Sequence, residues 1–150
     1  MGETVPERAW IEASIGRQLH LTAKVARDFH ARRLQEAGVT FGVWTVLAHL
    51  SAGGPMIQRE LASRLGIEGP TLTRYLVQME AGGLITRERT AGDRRAATVS
   101  LTDRGERRYA ELEQVSRRSH AQALAGLSAA EIEALRTALD SIRRNVEEAD

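Results

Sequence analysis

Apolar residues recur along the chain with two different periods, which together predict eight elements. Spacings of three and four residues predict helices over about 11–37, 41–52, 57–65, 70–81, 102–124 and 128–147. Alternation of apolar and polar residues predicts strands over about 84–89 and 97–101. The predicted order is therefore α-α-α-α-β-β-α-α, a mainly α protein with a small β-hairpin.

The middle of the chain carries the most diagnostic local pattern. Two short helices are separated by Gly66, and the second begins at Gly69-Pro70, proline being favoured at a first helical position. This second helix turns Leu72, Leu76 and Met79 inward. Two short helices joined by a tight glycine-containing turn form a helix-turn-helix. The hairpin that follows has a polar, basic turn at 90–95 and is expected to form a wing.

Long amphipathic helices at both ends carry more apolar surface than one small domain can cover. In the last helix, Ile132, Leu135 and Leu139 begin a stripe that continues to Val146. We therefore expect the same helices of a second copy to cover these stripes in a two-fold homodimer. The expected division is a helical dimerisation region, residues 1–38 and 103–150, and a winged helix-turn-helix domain, residues 39–102.

Composition excludes several classes of protein. The chain has no cysteine, and its four histidines lack the spacing of a metal site. It contains no nucleophile elbow and no phosphate-binding loop. No stretch approaches the roughly 20 apolar residues of a membrane span, and the polar N-terminus does not resemble a secretory signal. We expect a cytoplasmic protein that is not an enzyme and uses no metal or other cofactor.

Charge is distributed unevenly although the net charge is only +1. Residues 17–33 hold five basic side chains against one acid, and residues 74–95 hold five against three. Residues 128–150 instead carry six acids against three arginines. Since phosphate responds to the local field, a nearly neutral protein can still present a basic face to nucleic acid.

Several segments resemble the MarR family of bacterial transcription regulators. These are LASRLGI at 61–67, LTRYL at 72–76, MEAGGLITR at 79–87 and GDRRAATVSLT at 92–102. The segments IEGPTLTR at 67–74 and DRRA at 93–96 are most similar to the SlyA-like branch of that family. The resemblance is dense over 61–105 and collinear, though weaker, over nearly the whole chain.

The resemblance implies that the second helix of the pair enters the major groove of DNA. Arg74 can bind guanine bidentately or a phosphate, whereas Thr71 and Thr73 can reach phosphates or a thymine methyl group. Glu68 precedes a helix N-terminus, which is an anion site. The expected contacts on this recognition helix are Glu68, Gly69, Pro70, Thr71, Thr73, Arg74 and Gln78. The alternative is an ordinary solvated helix face.

The resemblance also implies contacts from the wing. Arg94 or Arg95 can enter a narrow minor groove, where the negative potential is enhanced, while Asp93 pairs with a neighbouring arginine. The expected wing contacts are Arg87, Arg89, Asp93, Arg94 and Arg95. The alternative is a hairpin tip that is charged for solubility.

An effector pocket is implied where the first two helices meet the DNA-binding lobe, and such pockets often accept small aromatic anions. Arg17, His20 and Trp44 are candidates as a cation, a titratable donor and an aromatic wall. The alternative places Trp44 in the core and makes His20 a structural residue.

These observations predict a regulator, most simply a repressor, that binds a pseudo-palindromic promoter site as a homodimer and is released by a small aromatic or phenolic effector. The alternative is a winged-helix protein-interaction module without specific DNA binding.

Overall fold

Helix and strand boundaries follow the sequence signals closely. The structure, a computed structural model, describes residues 14–89 and 97–149. Within these ranges the elements are α1 (Ile15–Glu36), α2 (Phe41–Gly53), β1 (Met56–Ile57), α3 (Gln58–Leu65), α4 (Gly69–Ala81), β2 (Ile85–Arg89), β3 (Ala97–Leu101), α5 (Asp103–Ala123) and α6 (Ala129–Glu147). The predicted order of helices and the two hairpin strands is confirmed. None of these helices is long and apolar enough to cross a lipid bilayer.

Side-chain caps fix several of the helix starts. The Thr40 hydroxyl accepts a hydrogen bond from the Val43 N–H at 3.3 Å and caps α2. Thr102 caps α5 in the same way. Ser128 and Glu131 form a capping box at α6, each side chain bonding the other residue's backbone. These caps are set by residues close together in the sequence, which explains why the helix starts could be predicted from local sequence.

The sheet contains a strand that the periodicity did not predict. Its order is β1-β3-β2, and both pairings are antiparallel. Met56 lies opposite Val99, so the segment after the Gly53-Gly54-Pro55 break adds a third strand to the hairpin. Ile57 therefore ends a strand, and its assignment to the following helix was wrong. Two residues are too few to show a period, and their partner lies about forty positions away.

The core lies where α2 crosses the helix-turn-helix and the sheet. Its members are apolar side chains at most 8% exposed, namely Leu34, Val43, Trp44, Val46, Leu47, Leu50, Met56, Leu61, Leu72, Leu76, Met79, Ile85, Val99 and Leu112. Every described element except α6 contributes at least one of them. This shared core fixes α4 relative to the strands that flank it.

Close backbone contact joins α5 to the sheet. A Cβ atom at Gly105 would lie 2.1 Å from the carbonyl oxygen of Leu84, the residue before β2. Helix α5 can approach the start of β2 only because Gly105 has no side chain. The same carbonyl accepts the Thr102 N–H at 3.0 Å. The start of α5 is thereby attached directly to the segment between the helix-turn-helix and β2.

The two terminal helices keep much of their apolar surface exposed. No side chain of α6 is buried, and Leu135, Leu139 and Val146 are 44%, 41% and 62% exposed. On α1, Ile15 and Val25 are 60% and 65% exposed. Exposed apolar side chains in rows on two long helices are unusual for a monomer.

Candidate nucleic-acid interface

Helix α4 is held so that one face points outward. Leu72 and Leu76 are fully buried and Met79 is 1% exposed, as the period predicted. Gly66 adopts the left-handed conformation, φ 62°, that turns the chain from α3 into α4. The packing of the buried face therefore keeps the opposite face of α4 exposed to solvent.

The N-terminus of α4 lacks a side-chain cap. Glu68 occupies the N-cap position with extended backbone, and its carboxylate makes no capping hydrogen bond. Pro70 lies in the first turn. A Cβ added at Gly69 would meet no atom of residues 14–89 and 97–149 within 4 Å, so these residues leave the helix start open on this side. Uncapped N–H groups at an open helix start can donate to a phosphate oxygen.

The outward face of α4 carries most of the side chains that the sequence nominated. Thr73, Arg74 and Gln78 are exposed, whereas Thr71 is half-buried. The Arg74 guanidinium carbon lies 5.9 Å from the centroid of the Tyr75 ring. Sequence reasoning omitted Val77, which is 53% exposed on the same helix. Its position in the register, four residues after Thr73, could have identified it.

A side chain of α3 also reaches this face. The Gln58 amide donates a 2.9 Å hydrogen bond to the Thr73 hydroxyl oxygen, and the Thr73 hydroxyl donates to the Gly69 carbonyl at 3.0 Å. Gln58 was not nominated from the sequence, because a contact across fifteen positions leaves no periodic signal. The first helix of the pair thus orients a residue of the second.

The two strand arginines differ in their surroundings. Arg87 donates from Nε to a Glu80 carboxylate oxygen at 3.0 Å and makes a second, shorter bond to the same oxygen. These bonds lower the pKa of Glu80 below its usual value. Arg87 therefore ties β2 to the end of α4, whereas Arg89 is exposed further along the strand. Their assignment as DNA contacts stays a prediction.

A groove of 610 Å³ runs between the helix-turn-helix and the sheet. Its lining consists of Gln58, Arg59, Ala62, Gly69, Glu80, Arg87, Arg89 and Ala97. The groove brings the start of α4 and the strand arginines to one side of the molecule. Asp93, Arg94 and Arg95, the nominated wing-tip residues, lie outside the described residues.

The nominated effector residues are not brought together within one chain. Trp44 is 8% exposed and stacks on Tyr109, with ring centroids 5.6 Å apart and planes 6° apart. The His30 ring packs against Trp44 edge to face. Arg17 and His20 are exposed, and His20 lies about 15 Å along α1 from His30 at 1.5 Å per residue.

A larger cavity lies beside the end of α1. It has a volume of 790 Å³ and spans the loop between α1 and α2, the end of α4 and the start of α5. Three arginines line it, Arg104, Arg107 and Arg108, together with one acid, Glu111, which accepts a 2.8 Å bond from Arg108. Val39, Val43, Met79 and Leu84 supply apolar lining. In residues 14–89 and 97–149 no cluster of three potential metal-ligating side chains occurs.

Several proteins of known structure share this architecture. The model of the MarR family matches residues 37–96. The transcriptional regulator PA3341 is 34% identical, over 90% of this chain and 99% of that chain, with a TM-score of 0.78. The transcriptional regulator SlyA is 25% identical over 91% and 96%, with a TM-score of 0.77. A cysteine mutant of MarR from E. coli complexed with operator DNA shares the fold, with 23% identity over 89% and 96% and a TM-score of 0.78.

These likenesses extend over nearly the whole chain and include the winged helix-turn-helix. They confirm the family resemblance that the segments of 61–105 indicated. The chain belongs to the MarR family of transcription regulators.

Proposed function

We propose that this protein is a sequence-specific DNA-binding regulator that represses transcription by occupying a pseudo-palindromic promoter site as a homodimer in the cytoplasm. The observation that carries the proposal is the outward face of α4, where Thr73, Arg74 and Gln78 are exposed on a helix that is fixed by its buried face. The structural relative complexed with operator DNA supports the same role for this fold. A place in the SlyA-like branch is part of the proposal.

Each α4 would lie in a major groove with its outward face towards the bases. The open helix start at Gly69 would approach the phosphate backbone, and Arg74 would reach base edges or a phosphate. Arg89 and the wing-tip residues would contact the flanking backbone or minor groove. Arg87 would act through its ion pair with Glu80, which keeps the strands in position beside α4.

Dimerisation would be provided by residues 1–38 and 103–150, with residues 39–102 as the DNA-binding domain. The exposed apolar rows of α1 and α6 are the surfaces that a second copy would cover. In a two-fold dimer the half-sites lie about one helical turn apart, roughly 34–36 Å. A glutamate in place of Leu139 should give a monomer by light scattering while its helical circular dichroism is retained.

The proposal also includes release of the protein from DNA by a small aromatic or phenolic anion. The 790 Å³ cavity with three arginines offers cationic and apolar lining at the junction of α1, α4 and α5. An anion there would contact the recognition helix and the dimerisation helices at once, and different affinities for two arrangements of these helices would shift DNA binding. A pocket completed by a second copy around Arg17, His20 and Trp44 is the alternative location. If the cavity binds the anion, Arg107→Ala should weaken release from DNA by the anion and Arg17→Ala should not; the alternative location predicts the reverse.

Selection of binding sites from a random duplex library tests the function directly. The proposal predicts an inverted repeat whose half-site centres are about 10–10.5 base pairs apart. Recovery of no consensus, at a salt concentration where the library still binds, would contradict sequence-specific binding. It would favour a protein-interaction module on the same fold.

A further inference from the structure

One row of the recognition helix is more apolar than a surface that reads bases by hydrogen bonds alone. Gly69, Thr73 and Val77 are spaced four residues apart and so lie one above the other along α4. Thr73 is exposed, and Val77 is 53% exposed although valine side chains are usually buried. In the part of the chain that the structure describes, nothing lies within 4 Å of a Cβ added at Gly69. The row is therefore open over two full turns of helix.

The hydroxyl of Thr73 is already engaged inside the protein. A threonine hydroxyl has one hydrogen to donate and two lone pairs to accept with. The hydrogen is directed to the Gly69 carbonyl at 3.0 Å, and one lone pair accepts the Gln58 amide at 2.9 Å. Phosphate oxygens and the acceptor groups of guanine and thymine all require a donor, which Thr73 no longer has. What remains for contact with DNA is the γ-methyl group and one lone pair, and the methyl group is the only one of the two that thymine can recognise.

Gln58 fixes this orientation from outside the helix. A threonine that bonds only to its own helix can rotate to another rotamer when a ligand offers a better partner. The bond from Gln58 on α3 adds a second tie, so that rotation would break two hydrogen bonds instead of one. Gln58 is thus a positioning residue that holds the Thr73 side chain in one rotamer.

We propose that Thr73 and Val77 read the C5-methyl groups of thymines in the major groove through apolar contact. This inference rests on the proposed DNA-binding function and names part of its specificity. Apolar contact with the thymine methyl is an established means of base discrimination, since the other three bases lack that group. Residues four apart on a helix are separated by about 6 Å along its axis. The two thymines therefore lie about two base-pair steps apart, at roughly 3.4 Å per step.

The test uses a duplex selected from a random library and deoxyuridine, which differs from thymidine only in lacking the methyl group. Each thymine of one half-site is replaced in turn, and affinity is measured by fluorescence anisotropy at fixed salt. Wild-type protein should bind about fourfold more weakly when a contacted thymine loses its methyl, the value of about one buried methylene. Two such positions should be found, about two steps apart.

Matched variants assign the positions to residues. Thr73→Ser keeps the hydroxyl and removes the methyl, so it should bind thymine and uracil duplexes equally at one position. Thr73→Val keeps the methyl and removes the hydroxyl, so it should retain the preference for thymine. Val77→Ala should abolish the preference at the second position only. Gln58→Ala should weaken the thymine preference at the Thr73 position more than it weakens binding to a shuffled duplex.

Two results would overturn the inference while leaving the proposed function intact. One is equal binding of wild-type protein to thymine and uracil duplexes at every position of a well-defined selected site. The other is loss of the preference in Thr73→Val but not in Thr73→Ser, which would assign the reading to the hydroxyl. Failure of the proposed function would show earlier, as a selection that yields no consensus site.

Discussion

Replacement of Gly105 by alanine tests how α5 is attached to the DNA-binding lobe. In an exposed helix the change would stabilise the protein by up to about 1 kcal/mol, the difference in helix propensity. Here the new Cβ would lie 2.1 Å from the Leu84 carbonyl oxygen and 3.1 Å from its carbonyl carbon. Both atoms belong to the backbone, so no side-chain rotation can relieve the contact, and α5 must shift by about 1 Å to reach an ordinary separation.

The cost of that shift exceeds the gain in propensity. Overpacking costs about 1–3 kcal/mol, and backbone contacts as close as this one belong at the upper end. The shift also disturbs the bond between the Thr102 N–H and the Leu84 carbonyl, 3.0 Å long, which contributes about 1 kcal/mol. We therefore expect Gly105→Ala to lower the free energy of unfolding by about 2–3 kcal/mol after the propensity gain is subtracted.

Urea unfolding followed by circular dichroism measures this change, at one protomer concentration because the stability of a dimer depends on it. Gly16→Ala is the matched control, since the nearest atom to its added Cβ is the Ser14 hydroxyl oxygen, at an ordinary contact distance of 3.4 Å. The control should unfold at the same or a slightly higher urea concentration than wild type. A Gly105→Ala protein at least as stable as wild type would refute the reasoning.

Three further predictions concern the interface and the core. Arg74→Ala should reduce discrimination between selected and shuffled duplexes by about 1–3 kcal/mol in anisotropy titrations, whereas an equal loss on both would make Arg74 a phosphate contact. Because Arg87 lowers the pKa of Glu80, the ion pair between them stabilises the protein above about pH 4.5, and this stabilisation is lost as the carboxylate protonates in acid. The difference in urea midpoint between wild type and Glu80→Gln should therefore shrink on acidification, and a constant difference would contradict the ion pair. Burial, and secondarily His120, lowers the pKa of His30, whose buried Nε2 has no hydrogen-bond partner among the described residues. Wild type should lose stability as the pH falls below about 6.5, more steeply than His30→Leu, and parallel curves would contradict this.

Much of the fold was predictable because its signals are local. The capping box at Ser128, the glycine turn at Gly66 and the buried row from Leu72 to Met79 each lie within one element or turn. The family segments then placed these elements in a known order. What the sequence did not reveal depends on contacts between distant positions.

Strand β1 shows this most clearly, since its two residues acquire a role only by pairing with Thr98 and Val99. Gly42 is another case, because a Cβ there would lie 2.3 Å from the Tyr75 ring, and nothing near Gly42 in the sequence indicates that ring.

The sequence predicted where the candidate interface lies more completely than it predicted the hydrogen bonds and ion pairs within it. Thr73, Arg74 and Gln78 are exposed as expected, because helical period alone separates the outward face from the core. The ion pair of Arg87 and the bond from Gln58 to Thr73 could not be predicted, since each joins two elements across the fold. These two contacts determine which polar atoms of the candidate interface are already bonded within the protein.

The central claim, specific recognition of DNA, is tested most directly by anisotropy titration of a selected duplex and its shuffled counterpart over a salt series. The account predicts that the selected duplex binds at least about 10³-fold more tightly, and that this preference survives at physiological salt. Equal binding of the two duplexes, falling steeply with salt, would show phosphate attraction alone. That result would contradict the account and make the winged helix a surface for a protein partner.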